Sequence, residues 1–118
     1  FAATVACFSP SEGRYCALGT YDGRVLIWDI LGLRTVVRVL ERPGGELAGE
    51  TDFTKVVSLA WGVDKGGDWE LLVGYETSVG ERDFFGSVVC WSLTGENKRL
   101  WSHQFAPGVV ARSLACRG

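Results

Sequence analysis

Residues 8–30 read FSPSEGRYCALGTYDGRVLIWDI, and within them two short apolar runs flank the pair Asp22-Gly23. Asp-Gly between apolar runs favours the left-handed backbone conformations of a tight hairpin turn. Both runs are too short for a helix, and β-branched and aromatic residues are common in them. The stretch therefore predicts two antiparallel strands joined by a hairpin.

Apolar runs alternate with clusters of Gly, Asp, Ser and Pro along the rest of the chain. The runs VLIW (25–28), ELLVGY (70–75) and SVVCW (87–91) are too continuous for a strand with one wet face, so they indicate sheets buried on both sides. LTGEN (93–97) predicts a second tight turn. We expect nine strands: Thr4–Ser9, Arg14–Thr20, Arg24–Ile30, Thr35–Glu41, Lys55–Trp61, Glu70–Glu76, Ser87–Leu93, Lys98–Phe105 and Val110–Cys116.

The composition of the 118 residues is that of a folded chain, with 47% hydrophobic and 22% charged residues. A net charge of -2 provides no overall basic field for nucleic acid or an anionic membrane. No apolar run approaches the roughly 18 residues of a membrane span, and no targeting peptide is visible. The sequence has no Met, which leads us to expect a processed chain or a piece of a longer one.

The predicted strands repeat as two groups of four, with Trp28 and Trp91 each near the end of a third strand. The first strands also match: VACFSP resembles SLAWGV, and RSLACRG begins the pattern a third time. Phe8, Trp61 and Cys116 then occupy equivalent positions.

Two expected long loops explain why this repeat exceeds the roughly 40–45 residues of a four-stranded propeller blade. One is RPGGELAGETDFT at 42–54, and the other is TSVGERDFFG at 77–86. In the first repeat the tight turn at Asp22-Gly23 stands where the second repeat has the loop at 77–86.

The stretch 8–30 resembles the core of a WD repeat, through FSP, the Asp22-Gly23 turn and the pair Trp28-Asp29. AWG…ELLVGY…GSVVCWS resembles a second, degenerate copy, in which Trp91 is followed by Ser. The resemblance implies an all-β fold: a partial β-propeller of two four-stranded antiparallel blades plus the first strand of a third. The implied units are blade one at about 1–45, blade two at about 52–106 and the start of blade three at about 107–118.

The chain departs from the WD pattern at several positions. The Gly-His pair before the first strand is absent, and His103, the only histidine, does not fill that place. WD repeats often contain a buried His–Ser/Thr–Trp–Asp hydrogen-bond network. Asp22 and Trp28 match two of its members, but Leu18 occupies the Ser/Thr place. A buried Trp28 still needs a partner for its indole N–H, so we expect greater reliance on apolar packing.

Within WD proteins, LGTYDGRVLIWDILGLRTVVRVL (18–40) is similar to the first blade of the retinoblastoma-binding-protein-5-like subunit of COMPASS-type histone methyltransferase complexes. That resemblance implies a nuclear protein that helps to assemble a methyltransferase complex and carries no catalytic residue itself.

No arrangement of residues predicts catalysis, a cofactor or a metal. Cys7, Cys16, Cys90 and Cys116 have no CxxC spacing and no His at a zinc-ligand offset, so we expect structural thiols in a reducing compartment. A Cys7–Cys16 disulfide between adjacent strands remains the alternative. His103 is expected in an outer strand, exposed or half-buried. No GxSxG, GxGxxG or Walker phosphate loop occurs.

The residues that we expect to bind a partner are Arg82, Phe84 and Phe85 in the loop at 77–86. Adjacent strand residues point to opposite faces, so both Phe side chains cannot enter one core if the segment is extended. An exposed Phe would suit an interface, whereas the alternative is a longer hairpin that folds one Phe onto its blade. Acidic residues around 41–52 offer either a docking surface for a basic partner or a solvated loop.

The sequence therefore predicts a non-catalytic WD-repeat scaffold that binds other protein subunits, with no evident small-molecule substrate, nucleic-acid signature or membrane segment. We expect an intracellular protein, nuclear if the similarity to the methyltransferase subunit holds, with further WD-like copies after Gly118. The alternatives are a generic WD-repeat adaptor in another complex, or an enzyme on a propeller or β-sandwich whose catalytic residues lie outside this chain.

Overall fold

The structure, a computed structural model, describes residues 3–10, 14–32, 34–41, 53–63, 66–67, 69–79, 83–93 and 98–108. These residues form two four-stranded antiparallel sheets, each with its strands in chain order. The predicted all-β class is thus confirmed. The first sheet holds β1 (Ala3–Phe8), β2 (Tyr15–Thr20), β3 (Val25–Asp29) and β4 (Thr35–Leu40). The second holds β5 (Phe53–Val63), β6 (Trp69–Val79), β7 (Asp83–Ser92) and β8 (Lys98–Pro107).

The strands of the first sheet lie within one residue of the predicted bounds, because short apolar runs and turn residues delimit them clearly. The predicted ninth strand, Val110–Cys116, lies outside the described residues, as does most of the LTGEN turn. The implied third blade therefore stays a prediction.

The prediction of a long loop at 77–86 is wrong, because β6 and β7 extend into this segment and pair with each other through most of it. Thr77 pairs with Phe85 and Ser78 with Phe84. β5 is long as well, so the added part of β6 pairs on both sides, and the Thr77 hydroxyl lies 2.9 Å from that of Thr54. Polar residues in this segment are compatible with a strand because its partners satisfy the backbone.

The two sheets are structural repeats that share two register shifts, and the second sheet has a further shift at Phe85/Ser87. Phe8 pairs with Cys16 as Trp61 pairs with Leu71, which confirms the predicted equivalence of Phe8 and Trp61. The pairing of the third and fourth strands shifts at Ile27/Trp28 in the first sheet and at Cys90/Trp91 in the second. The first two strands shift at Ala3/Val5 and at Val56/Ser58. Since bulges re-aim side chains, matching bulges give both sheets the same pattern of faces.

Alternation and pairing assign each side chain to one of two faces, which we call front and back. The front face carries the repeat tryptophan, Trp28 or Trp91, and the back face is the opposite side. The front face of the first sheet includes Phe8, Cys16, Leu18, Leu26 and Trp28, and its back face includes Val5, Cys7, Ala17, Gly19, Val25 and Ile27. The front face of the second sheet includes Leu59, Trp61, Leu71, Val73 and Trp91, and its back face includes Ala60, Leu72, Gly74, Val88, Cys90 and Trp101.

The core lies between the back face of the first sheet and the front face of the second. Its buried members come from these two faces alone, with Ala17 and Ile27 on one side and Leu71 and Trp91 on the other. The sheets therefore stack in the same sense, front to back, as successive layers rather than as mirror-related halves.

The closest approach between the sheets is that of β1 and β2 to β5. A Cβ atom placed on Gly19 would lie 2.4 Å from Cγ1 of Val56, so only glycine admits the neighbouring strand here. The Trp61 indole donates a hydrogen bond of 3.0 Å to the Cys7 carbonyl, and the Thr4 hydroxyl donates one of 2.6 Å to the Val56 carbonyl. Apolar packing and directional bonds together fix the register of the stack.

Candidate functional site

The Asp22-Gly23 turn forms the predicted hairpin, but of the two residues only Gly23 has the left-handed backbone conformation. Gly23 has a φ of +83°, and the Thr20 amide donates to the Arg24 carbonyl at 3.0 Å. The Thr20 hydroxyl donates to Asp22 and accepts from the Arg24 amide, while the Arg24 side chain pairs with Asp22 at 2.8 Å. The Thr20 hydroxyl and the Arg24 guanidinium hold the pKa of Asp22 below its usual range. Asp22 thus accepts hydrogen bonds from Thr20 and Arg24 within the hairpin. It does not accept one from the Trp28 indole.

The two repeat tryptophans differ in how their indole N–H groups are satisfied. Trp91 donates a hydrogen bond of 3.3 Å to the hydroxyl of Tyr75, which is fully buried. Thr20 is the register equivalent of Tyr75, but its shorter side chain bonds within the turn. The Trp28 N–H is buried and has no partner in the described part of the chain. The first sheet therefore lacks the network that WD repeats often have at this place.

Asp29, the second residue of the Trp-Asp pair, has a structural role. Its carboxylate is 2% exposed and accepts from Arg14 at 3.1 and 3.0 Å, in the two-point geometry that suits guanidinium and carboxylate. It also accepts from the Gly32 amide at 2.9 Å, and the Arg14 guanidinium lies over the Tyr15 ring. Asp29 thereby ties the turn after β3 to the start of β2.

The two adjacent phenylalanines proposed to bind a partner point to opposite faces of β7. Phe85 shares the front face with Thr77 and is half-buried, whereas Phe84 lies on the back face and is 37% exposed. The segment is an extended hairpin, so one Phe is directed to each face: Phe85 is the more buried of the two, and Phe84 is the more exposed. Arg82 lies outside the described residues, so its role stays a prediction.

Each sheet has one face with no sheet against it in the described part of the chain. The front face of the first sheet is largely apolar, whereas the back face of the second also carries the Lys55–Glu76 ion pair and His103. On the front face of the first sheet, Phe8 is 62% exposed, Val39 is 37% exposed and Leu18 is half-buried. On the back face of the second sheet, Trp101 is 51% exposed and shares the surface with Phe84. Exposed apolar patches of this kind mark interaction surfaces. These two faces are the candidate functional sites.

Sequence reasoning missed Phe8, Val39 and Trp101 as surface residues. The available signal was the equivalence of Phe8 with Trp61, because both repeats have an aromatic residue at this position. In the described part of the chain, only Trp61 has another sheet packed against it. The spacing of residues alone could not predict that Trp101 lies on the back face, because a bulge in the pairing of β7 with β8 determines which face it is on.

The cysteines and the histidine form no reactive cluster in the described ranges. Cys7, Cys16 and Cys90 are free thiols, and Cys7 and Cys16 lie on opposite faces of the first sheet, so the disulfide alternative is wrong. Burial raises the pKa of Cys16, which keeps it in the thiol form. His103 is exposed on β8 against Phe105, with 5.1 Å between ring centroids, in the outer strand that the sequence predicted. No group of three metal-ligating side chains occurs among these residues.

Among the residues with described positions, none belongs to a helix of the length and apolarity that a membrane crossing requires. No protein-family model matches this chain, and searches of the curated proteins and of the solved structures gave no significant match.

Proposed function

We propose that this chain is a non-catalytic WD-repeat-type scaffold that mediates protein–protein interactions through the open faces of its two sheets. The observation that carries the proposal is the front-to-back stack of two equivalent sheets, which among the described residues leaves Phe8 exposed on one outer face and Phe84 and Trp101 exposed on the other. Clusters of exposed apolar side chains are typical of surfaces that another protein covers.

Two further features support a blade-like arrangement. The sheets meet mainly through their first strands, β1 and β2 against β5, as expected when blades converge toward a common axis. The Asp22-Gly23 turn joins β2 to β3 and the Trp28-Asp29 pair ends β3, which supports the resemblance to a WD repeat. The proposed partial propeller accounts for both features.

At a finer level, we propose that the partner is the protein core of a chromatin histone lysine methyltransferase complex, which would place the chain in the nucleus. This step depends on the similarity of residues 18–40 to the first blade of the retinoblastoma-binding-protein-5-like subunit. The scaffold role does not depend on it, because any subunit with a complementary apolar surface would serve.

Phe84 is the side chain best placed to test the finer proposal. Purified, immobilised chain is incubated with a recombinant methyltransferase core that lacks its WD subunit, and retention is measured. We expect retention by the unaltered chain and a dissociation constant raised about tenfold by Phe84→Ser, because an exposed aromatic anchor is lost.

Leu31→Ser is the matched control, because Leu31 is 64% exposed but lies in the turn after β3. It should leave retention unchanged. Failure of the unaltered chain to retain the core would overturn the methyltransferase proposal. Turnover of a small substrate by the purified chain would overturn the non-catalytic scaffold.

A further inference from the structure

The last strand of the second sheet, β8, is attached to the sheet along one edge. Among the described strands it pairs only with β7, and the pairing is bulged, because Cys90 pairs with Trp101 while Trp91 pairs with Arg99. Leu100 is therefore left without a partner in the ladder. An outer strand interrupted by a bulge is among the less stable parts of a sheet, so β8 is an extended segment that opens readily to another protein.

The side chains of β8 are exposed from Lys98 through Gln104, where the sequence reads KRLWSHQ. Lys98 and Arg99 are cations, and neither forms an ion pair with another residue in the described part of the chain. Ser102 supplies the hydroxyl group of the segment. The segment therefore presents two unpaired positive charges and, three residues after the second of them, an accessible hydroxyl.

This combination of charge and accessibility distinguishes Ser102 from the other hydroxyl residues. Of all the Ser and Thr residues in the chain, only Ser58 and Ser102 have a basic residue three positions earlier, which is Lys55 or Arg99. Ser58 is 4% exposed and lies in β5, against which the first sheet packs. Ser102 is exposed on an outer strand. The charge pattern and the accessible hydroxyl thus coincide at Ser102.

Protein kinases select among hydroxyl groups by the pattern of charges around them. Three residues of extended chain span about 10 Å, so the Arg99 guanidinium reaches an acidic subsite of a kinase while the Ser102 hydroxyl lies at the phosphoryl donor. A guanidinium and a carboxylate form strong, directional hydrogen bonds, which favour this serine over one without the arginine.

We propose that Ser102 is a phosphorylation site for a protein kinase that selects a basic residue three positions before the serine. The Ser102 Oγ forms a bond to the γ-phosphorus of ATP, the bond from that phosphorus to the bridging oxygen breaks, and ADP leaves. The hydroxyl proton passes to the catalytic aspartate of the kinase.

The modification changes the charge of the outer strand. Arg99 and Ser102 pair with Trp91 and Val89, which lie on one face of β7, so the bulge at Leu100 places both on the same face of β8. A phosphate on Ser102 carries a charge of roughly −1.5 to −2, which largely neutralises Lys98 and Arg99. Phosphorylation therefore converts a basic segment into a nearly neutral one.

The site is tested on the folded chain with ATP, Mg²⁺ and a purified kinase of the stated selectivity, followed by intact-mass analysis and peptide mapping. We expect one phosphate group per chain, located on Ser102, and none on Ser102→Ala. Thr35 is the matched internal control, because it is exposed on the outer strand of the first sheet but has Gly32 three positions earlier. It should remain unmodified.

Two charge variants test the recognition by Arg99. Arg99→Gln should lower kcat/KM for phosphorylation about tenfold or more, because a charge-assisted hydrogen bond to the kinase is lost. Lys98→Gln, which keeps Arg99, should lower it less. Both side chains are exposed, so circular dichroism should show unchanged strands. Peptide mapping of the unaltered chain locates the phosphate even if a variant fails to fold.

Four results would overturn the proposal: no phosphate on the folded chain, a similar rate of phosphorylation at Thr35, equal rates for Arg99→Gln and the unaltered chain, or phosphate on Ser58 as well as Ser102. The last result would show that the sequence pattern selects the site without the exposure of the folded strand. The inference does not rest on the proposed scaffold role, because a chain that binds no partner subunit still presents β8 to the kinase.

Discussion

Trp28 and Trp91 occupy the same place in two equivalent sheets, yet among the described residues only Trp91 has an acceptor for its indole N–H. Trp91→Phe breaks the bond to the buried Tyr75 hydroxyl and should lower the free energy of unfolding by about 1–2 kcal/mol beyond the packing loss. Trp28→Phe removes a buried donor that has no partner among the described residues. Its decrease in the free energy of unfolding should therefore be about 1–2 kcal/mol smaller than that of Trp91→Phe. Urea unfolding followed by circular dichroism measures both. Equal losses would contradict the assigned bonds.

Tyr75 should make the fold sensitive to alkaline pH. Burial raises its pKa, so the folded protein keeps the phenolic proton after the unfolded chain has lost it. The resulting stabilisation is complete below the unfolded pKa of about 10 and decreases as the pH rises above it. Urea unfolding at about pH 8 and about pH 11 should show a smaller decrease for Tyr75→Phe than for the unaltered chain. An identical decrease would show that Tyr75 is not the group responsible.

The sequence predicted that a buried Trp28 would need a hydrogen-bond partner, but it did not reveal that Tyr75 fills that need for Trp91. Tyr75 and Thr20 are equivalent only through the strand pairing and a bulge in the first strand of each sheet. A bulge adds one residue without any marked change in the sequence pattern, so spacing alone could not align the two positions.

At the scale of elements, the approach of β2 to β5 depends on the absence of a side chain at Gly19. Gly19→Ala should destabilise the fold by about 1–3 kcal/mol, because its Cβ would overlap Val56. Val56→Ala should cost about 2 kcal/mol through loss of buried methyl groups. The double variant should be more stable than the sum predicts, by about 1 kcal/mol, since the smaller residue 56 leaves room for the added methyl. Additive losses would show that the two strands do not meet there.

The lengths of β6 and β7 show where sequence reasoning at this scale succeeded and failed. Apolar runs located every strand of the described sheets, but the charged and polar residues at 77–86 suggested a loop. Strand extension depends here on β5, which supplies the Thr54–Thr77 contact and the Lys55–Glu76 ion pair of 3.0 Å from more than 20 residues away in the chain. Such cross-strand support is invisible in a local pattern.

At the scale of the whole molecule, the repeat in the sequence predicted two equivalent sheets, and the structure shows them. The repeat did not predict which faces would meet, because front-to-front, back-to-back and front-to-back stacks bury similar apolar patterns. Contacts between residues distant in sequence determine which faces pack together. Val56 fits against Gly19 because glycine has no side chain, and the Trp61 indole donates a hydrogen bond to the Cys7 carbonyl. Front-to-back stacking is the central feature of the account, since the open faces and their proposed partners follow from it.

The most direct test of that stacking is a nuclear Overhauser spectrum of the indole N–H protons, assigned by single Trp→Phe variants. The Trp61 indole proton should show cross-peaks to backbone protons of Cys7 and Phe8, because its nitrogen lies 3.0 Å from the Cys7 carbonyl oxygen. At a concentration where the chain is monomeric, the Trp28 indole proton should show cross-peaks only within the first sheet. Cross-peaks from Trp28 to β5, or none from Trp61 to β1, would contradict the front-to-back stack.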